Sequence, residues 1–86
     1  MANIKQQKKR VRIAARQRLE NLRYRSTVKT LQRRLDEATA EGDAEKVAEA
    51  HRQLVKMVDR AAVRGALHRN AAARKKSQAA RAVAGS

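Results

Sequence analysis

Between residues 47 and 61 apolar residues repeat at Val47, Ala50, Leu54, Met57/Val58 and Ala61. Steps of three and four place them on one face of a helix, which the pattern predicts over about residues 44–64. The chain has no proline, and its glycines stand only at 42, 65 and 85. In a sequence rich in Ala, Arg, Leu and Glu, two internal breaks imply three helices, at about 4–41, 44–64 and 67–83. At the first break, AEGD, Gly42 suits the left-handed position that closes a helix and Asp43 suits the cap that opens the next. Gly65 ends the second helix. The third carries a weaker stripe of Leu67, Ala71 or Ala72, Ala79 and Val83, and Asn70 offers an alternative, later cap for it.

The first helix carries two stripes rather than one. At about 100° per residue, Tyr24, Val28, Leu31, Leu35 and Ala38 share a face, which is expected to pack on the other two helices. Ile4, Val11, Ala15, Leu19 and Leu22 share another, roughly opposite. The stripe changes sides near residue 23, so the N-terminal half points its apolar side away from the bundle. The expected fold is all-α: one domain over residues 1–86, an elongated three-helix bundle with a long, protruding basic first helix.

Composition limits what such a bundle can do. Of the 86 residues, 18 are Ala, and Tyr24 is the only aromatic. A core of that kind joins helices but hardly lines a deep pocket. Without Cys there is no disulfide framework or thiolate metal site. No apolar stretch suits a secretory signal or a membrane span. The Arg-rich N-terminus mimics a transit peptide, yet residues 1–18 contain no Ser. A soluble, intracellular chain is the expectation.

Charge changes the picture most. Residues 1–34 carry a net +11, residues 35–63 a net −3 and residues 64–86 a net +6. Two basic ends around an acidic middle point to a polyanion bound on a defined surface. Arg outnumbers Lys fourteen to eight, and its planar fork bonds phosphate oxygens two at a time. Like charges one turn apart, such as Lys8, Arg12 and Arg16, oppose an isolated helix. The arm is therefore expected to be disordered in the free protein and helical on its partner.

Catalytic constellations are thin. His51 and His68 lie on different predicted helices with no metal-binding spacing. The acids Asp36, Glu37, Glu41, Asp43, Glu45 and Glu49 cluster near the first turn. Asp43 and Glu45 suit the positive start of the second helix, and Glu49 suits a pair with Arg52. In RSTVKT, Ser26 and Thr30 lie one turn apart between Arg25 and Lys29. They either present donors to a sugar–phosphate chain or bond back to the preceding turn, and Asn21 shares that ambiguity. His68 either touches a phosphate or stacks on a base, or is a plain surface histidine. Alanines 71–73 would let a thin helix approach a phosphate ridge. With so few aromatics, recognition by backbone shape is favoured over stacking on single-stranded bases.

Several motifs stand in series: MANIK at the start, KKR at 8–10, Asn21 followed by RSxxKT, EGD at the first turn, VDRAAxRG at 58–65 and GALHRNAAARKK at 65–76. In this order they resemble the bacterial small-subunit ribosomal protein family numbered twenty, over nearly the whole chain. The resemblance implies a long three-helix bundle that binds 16S ribosomal RNA directly, as a monomer within the ribosome in the cytoplasm. It implies no catalysis, cofactor, small-molecule substrate or membrane. The RNA-facing positions it implies on the first helix are Lys5, Lys8, Lys9, Arg10, Arg12, Arg16, Arg18, Arg23, Arg25, Lys29 and Arg33, with Asn3, Asn21, Ser26 and Thr30 beside them. On the third helix they are His68, Arg69, Asn70, Arg74, Lys75 and Lys76. Charge alone also fits a nucleoid-type DNA-binding protein, although no separate dimer stripe is present. A cationic helix on anionic membranes lacks the Trp and Phe it would use.

Overall fold

The computed structural model describes residues 4–84. Three helices follow one another: α1, Ile4–Glu41; α2, Ala44–Val63; and α3, Arg69–Ala84. The two-residue turn between α1 and α2 makes them antiparallel neighbours. Gly42 adopts φ +74°, and its N–H is shared between the carbonyls of Ala38 (3.1 Å) and Thr39 (3.2 Å). Asp43 opens α2 at once, its Oδ1 accepting from the N–H groups of Glu45 and Lys46. Across the same corner, Lys46 Nζ lies 3.2 Å from Glu41 Oε2. The hydrogen bond to Glu41, its charge and that of Asp43 raise the Lys46 pKa above the usual lysine value.

The second corner is more constrained. Gly65 takes φ +78° and donates to Ala62 O at 3.1 Å, while Ala66 donates to Ala61 O at 2.8 Å. These bonds satisfy carbonyls that the end of α2 would otherwise leave open. Ala66 and Ala61 are both buried there. Leu67 also donates to Ala61 O, so this closing turn occupies the chain through residue 67. The third helix therefore starts at Arg69 instead of about 67. Its cap is His68: the carbonyl accepts from Ala72, and Nδ1 accepts from Asn70 N–H at 3.1 Å. Asn70, the alternative cap, lies inside the helix.

The core follows the expected stripes. Val28, Leu31, Leu35 and Ala38 of α1 meet Val47, Ala50, Leu54, Val58 and Ala61 of α2, with Ala66, Ala72 and Ala79 completing it. Tyr24, Met57, Leu67 and Val83 pack at its edge. Half of these twelve buried residues are Ala, so the six Val and Leu side chains carry most of the burial, about 1.5–3 kcal/mol each. The small residues serve close approach: α2 packs on both α1 and α3, while α1 and α3 touch least.

The N-terminal half of α1 leaves this bundle altogether. Every residue from 4 to 20 is exposed, including Ile4, Val11, Ile13 and Leu19. The shape is correspondingly long, 62 × 20 × 13 Å with a radius of gyration of 17.2 Å. A compact chain of this length would have a radius near 12 Å.

Candidate nucleic-acid interface

Cations along α1 are not scattered around it. At about 100° per residue, ten of its eleven candidate Lys and Arg residues fall within about half a turn, facing away from the stripe that packs on α2. Arg10 is the exception, on the bundle side. From Lys5 to Arg33 this face runs about 42 Å along the axis. Lys8, Lys9, Arg10, Arg12, Arg16, Arg18, Arg23, Lys29 and Arg33 are all exposed, and the ion pairs among the described residues involve none of them. The apolar stripe of Ile4, Val11, Leu19 and Leu22 lies within the same half turn, so cations flank exposed apolar side chains. Asn3 lies outside the described residues.

At its C-terminal end this face meets α3. A cleft of about 280 Å³ is lined by Leu22, Arg25, Ser26, Val28 and Lys29 of α1, with Leu67 and Lys75. The RSxxKT and GALHRNAAARKK motifs, some forty residues apart in sequence, thus form two walls of one site. A hydrogen bond holds the walls together: Arg25 Nε donates to Ala66 O at 3.0 Å. Arg25 therefore has a structural task in addition to its charge. The hydroxyl of Thr30 bonds back to Ser26 O at 3.0 Å and that of Thr27 to Arg23 O at 2.8 Å. Thr30 takes the local alternative, whereas Ser26 stands exposed at the cleft. Asn21 is half-buried.

On α3 the candidates diverge. Residues 71–73 span about 200° of the helix, so they cannot all face one partner. Ala72 is buried in the core, Ala71 is half-buried and only Ala73 is exposed. The expectation that the alanine run meets a phosphate ridge is thereby revised, since its central residue lets α3 approach its own bundle. Among the cations after it, Arg74 points to solvent and Lys75 turns towards α1. Lys76 reaches α2, its Nζ 2.9 Å from Asp59 Oδ1. That pair is half-exposed, a setting in which such contacts contribute little, about 0–1 kcal/mol. Arg69 and Asn70 are exposed in the first turn of α3, which contains no acid and carries the positive end of the helix dipole. His68 turns Nδ1 to the backbone as an acceptor, so Nε2 is the ring nitrogen left for other contacts.

The opposite sign is kept at the other end. Glu41, Asp43, Glu45 and Glu49 gather around the first turn, where Glu49 pairs with Arg52 at 3.3 Å. Sequence reasoning missed Leu22 as part of the cleft, and treated Tyr24 as core alone. Tyr24 is in fact half-buried, and with Arg23, Arg60 and Arg64 it lines open clefts on the other flank of α1.

Among the described residues no helix is long and apolar enough to cross a membrane. Comparison with known proteins agrees with the motif series. The family described as Ribosomal protein S20 matches residues 2–84. The "Small ribosomal subunit protein bS20" of Kocuria rhizophila is 45% identical, covering 98% of this chain and 98% of its own length. The protein of the same name from Mycobacteroides abscessus is 46% identical over 96% of each chain. That of Caldanaerobacter subterraneus subsp. tengcongensis is 45% identical over 91% of this chain and 74% of its own. With its three helices, its motifs and this likeness from end to end, the chain belongs to the ribosomal protein S20 family.

Proposed function

We propose that this protein is a structural, non-catalytic constituent of the small ribosomal subunit and binds folded 16S ribosomal RNA directly. The observation that carries the reading is the continuous cationic face of α1, which runs from the protruding arm into the cleft shared with α3. Duplex RNA offers phosphates in two rows across a shallow minor groove, and it is recognised through backbone shape and charge. Lys8, Arg12, Arg16 and Arg23 on one flank of the arm reach one row, and Arg18 and Lys29 on another flank reach a second. The exposed Val11, Leu19 and Leu22 lie between these flanks, facing the sugars.

At the far end, Arg69 and Arg74 extend the contact onto α3, and Lys75 closes the cleft from that side. Because the molecule is about five times longer than it is thick, it touches RNA segments tens of ångströms apart and holds their spacing. One chain suffices, since each flank meets a different stretch of RNA. The bound protein then resides with the ribosome in the cytoplasm.

A filter-binding titration on 16S RNA over a salt series tests the reading. Log affinity is expected to fall linearly with log salt, with a slope corresponding to about six or more phosphate contacts. The protein is likewise expected to sediment with small subunits in low salt and to leave them in high salt. A slope near zero overturns the electrostatic account.

A further inference from the structure

We propose that the cleft between α1 and the end of α2 captures a single unstacked nucleobase of the bound RNA, a contact that rests on the RNA-binding reading above and adjoins the cationic face at Arg23. Tyr24 is the one aromatic residue of the chain. Instead of being sealed into the core, it sits half-open at the edge and lines two adjoining clefts of about 330 and 420 Å³. The first is walled by Glu20, Arg23, Thr27, Met57 and Arg64, and Asp59, Arg60 and Val63 extend the second, with Asp59 already paired to Lys76. This size admits a small planar ligand but is too open to enclose one.

The lining chemistry selects a nucleotide. An aromatic ring beside a thioether gives a polarizable surface on which a base can stack. Arg23, Arg60 and Arg64 are exposed at the rim, and none is in an ion pair among the described residues. They are therefore available to the phosphate on either side of that base or to its π-face. The hydroxyl of Thr27 is already spent on the backbone, donating to Arg23 O at 2.8 Å. Edge recognition falls to Glu20, the only acid among residues 1–34. It stands exposed and in no ion pair among the described residues, although Arg23 is only one turn away. A carboxylate near RNA phosphates is repelled unless it accepts hydrogen bonds. Exocyclic amino groups of cytosine, adenine or guanine supply such donors, and uracil lacks one.

The position is also distinctive. Relative to the stripe that packs on α2, Arg23 and Thr27 leave α1 on one flank, whereas Lys29 and Leu22 of the other cleft leave on the opposite flank. A duplex lying along the cationic face cannot reach Tyr24 with its paired bases, but one extruded nucleotide can. Unpaired bases splayed onto aromatic side chains are the usual route to sequence preference in RNA.

Ultraviolet cross-linking of the full chain to 16S ribosomal RNA, followed by mass spectrometry of the joined peptides, tests this. The expected result is a nucleotide carrying an exocyclic amine attached at Tyr24. Tyr24→Phe keeps the cross-link, while Tyr24→Leu removes it, weakens binding about tenfold and leaves the salt slope unchanged. If Tyr24→Leu loses helix content, the exposed pair Arg60→Ala with Arg64→Ala replaces it, and this variant is expected to lose the Tyr24 cross-link while remaining folded. Cross-links confined to the arm and α3, or a folded Tyr24→Leu chain that binds as tightly as the unaltered one, overturn the base-capture site and leave the RNA-binding reading standing. Failure of the unaltered chain to bind 16S RNA at all overturns both.

Discussion

The same substitution made at two points of α1, Leu35→Ala and Leu19→Ala, should have two different consequences. Leu35 is 0% exposed and Leu19 is 49% exposed. Both residue types favour a helix, so the local propensity hardly changes in either case. At Leu35 the change removes three buried carbons, worth about 0.8 kcal/mol each, or roughly 2.4 kcal/mol in all. A residual cavity adds to that, but a core this thin and rich in Ala can partly close around it, so a total of about 3 kcal/mol is expected. With an unfolding entropy of about 2.1 cal/mol/K per residue, 1 kcal/mol moves the melting point of a chain this size by about 5 °C. Leu35→Ala should therefore melt about 15 °C lower. Leu19→Ala should stay within about 0.5 kcal/mol, or some 3 °C, because it loses no protein contact on a solvated arm. Far-ultraviolet circular dichroism melts of the free proteins give both numbers. On 16S RNA the order should reverse, with folded Leu19→Ala showing the larger loss of affinity. Equal melting shifts in the two free variants would show the arm docked on its own bundle and refute the two-stripe reading.

Changing Arg74, Lys75 and Lys76 together to Ala should weaken RNA binding while nearly preserving helix content, since the one ion pair lost, Lys76–Asp59, is half-exposed. Glu45→Gln with Glu49→Gln should leave binding unchanged or slightly stronger, and a greater loss from the glutamate pair would mean the RNA face had been assigned backwards. In hydrogen exchange, amides of residues 4–22 are expected to exchange fast in the free protein and slowly on 16S RNA, with residues 28–60 protected in both; equal protection of the arm in both states would contradict folding on binding. Gly65→Ala should cost about 1–2 kcal/mol through its left-handed backbone alone, because no atom lies within 4 Å of the added carbon. A melt within error of the unaltered chain would show that the corner does not need that conformation.

Much of this molecule is written locally. The turns at Gly42 and Gly65, the cap at Asp43 and the faces carrying Leu35 and Leu54 follow from the freedom of glycine and from helical periodicity. Neither requires knowledge of what lies across the helix. The switch of stripe near residue 23 and the segregation of charge are legible for the same reason, and so is the family, through its motif series. What periodicity leaves open is how far each helix is rotated against its neighbours. That rotation is set by which small residues allow the closest approach, and Ala61, Ala66, Ala72 and Ala79 answer it only once all three helices are assembled. Tertiary packing therefore decides that Ala72 faces inward and that Lys76 turns to Asp59. It also decides that Arg25 secures the α2–α3 corner, which brings residues 25–29 beside Leu67 and Lys75. His68 becomes a cap because the turn closing α2 runs through residue 67 before α3 can begin. Tyr24 shows the limit most clearly: its place on the stripe assigned it to the core, but only the position where α2 ends leaves one side of it open.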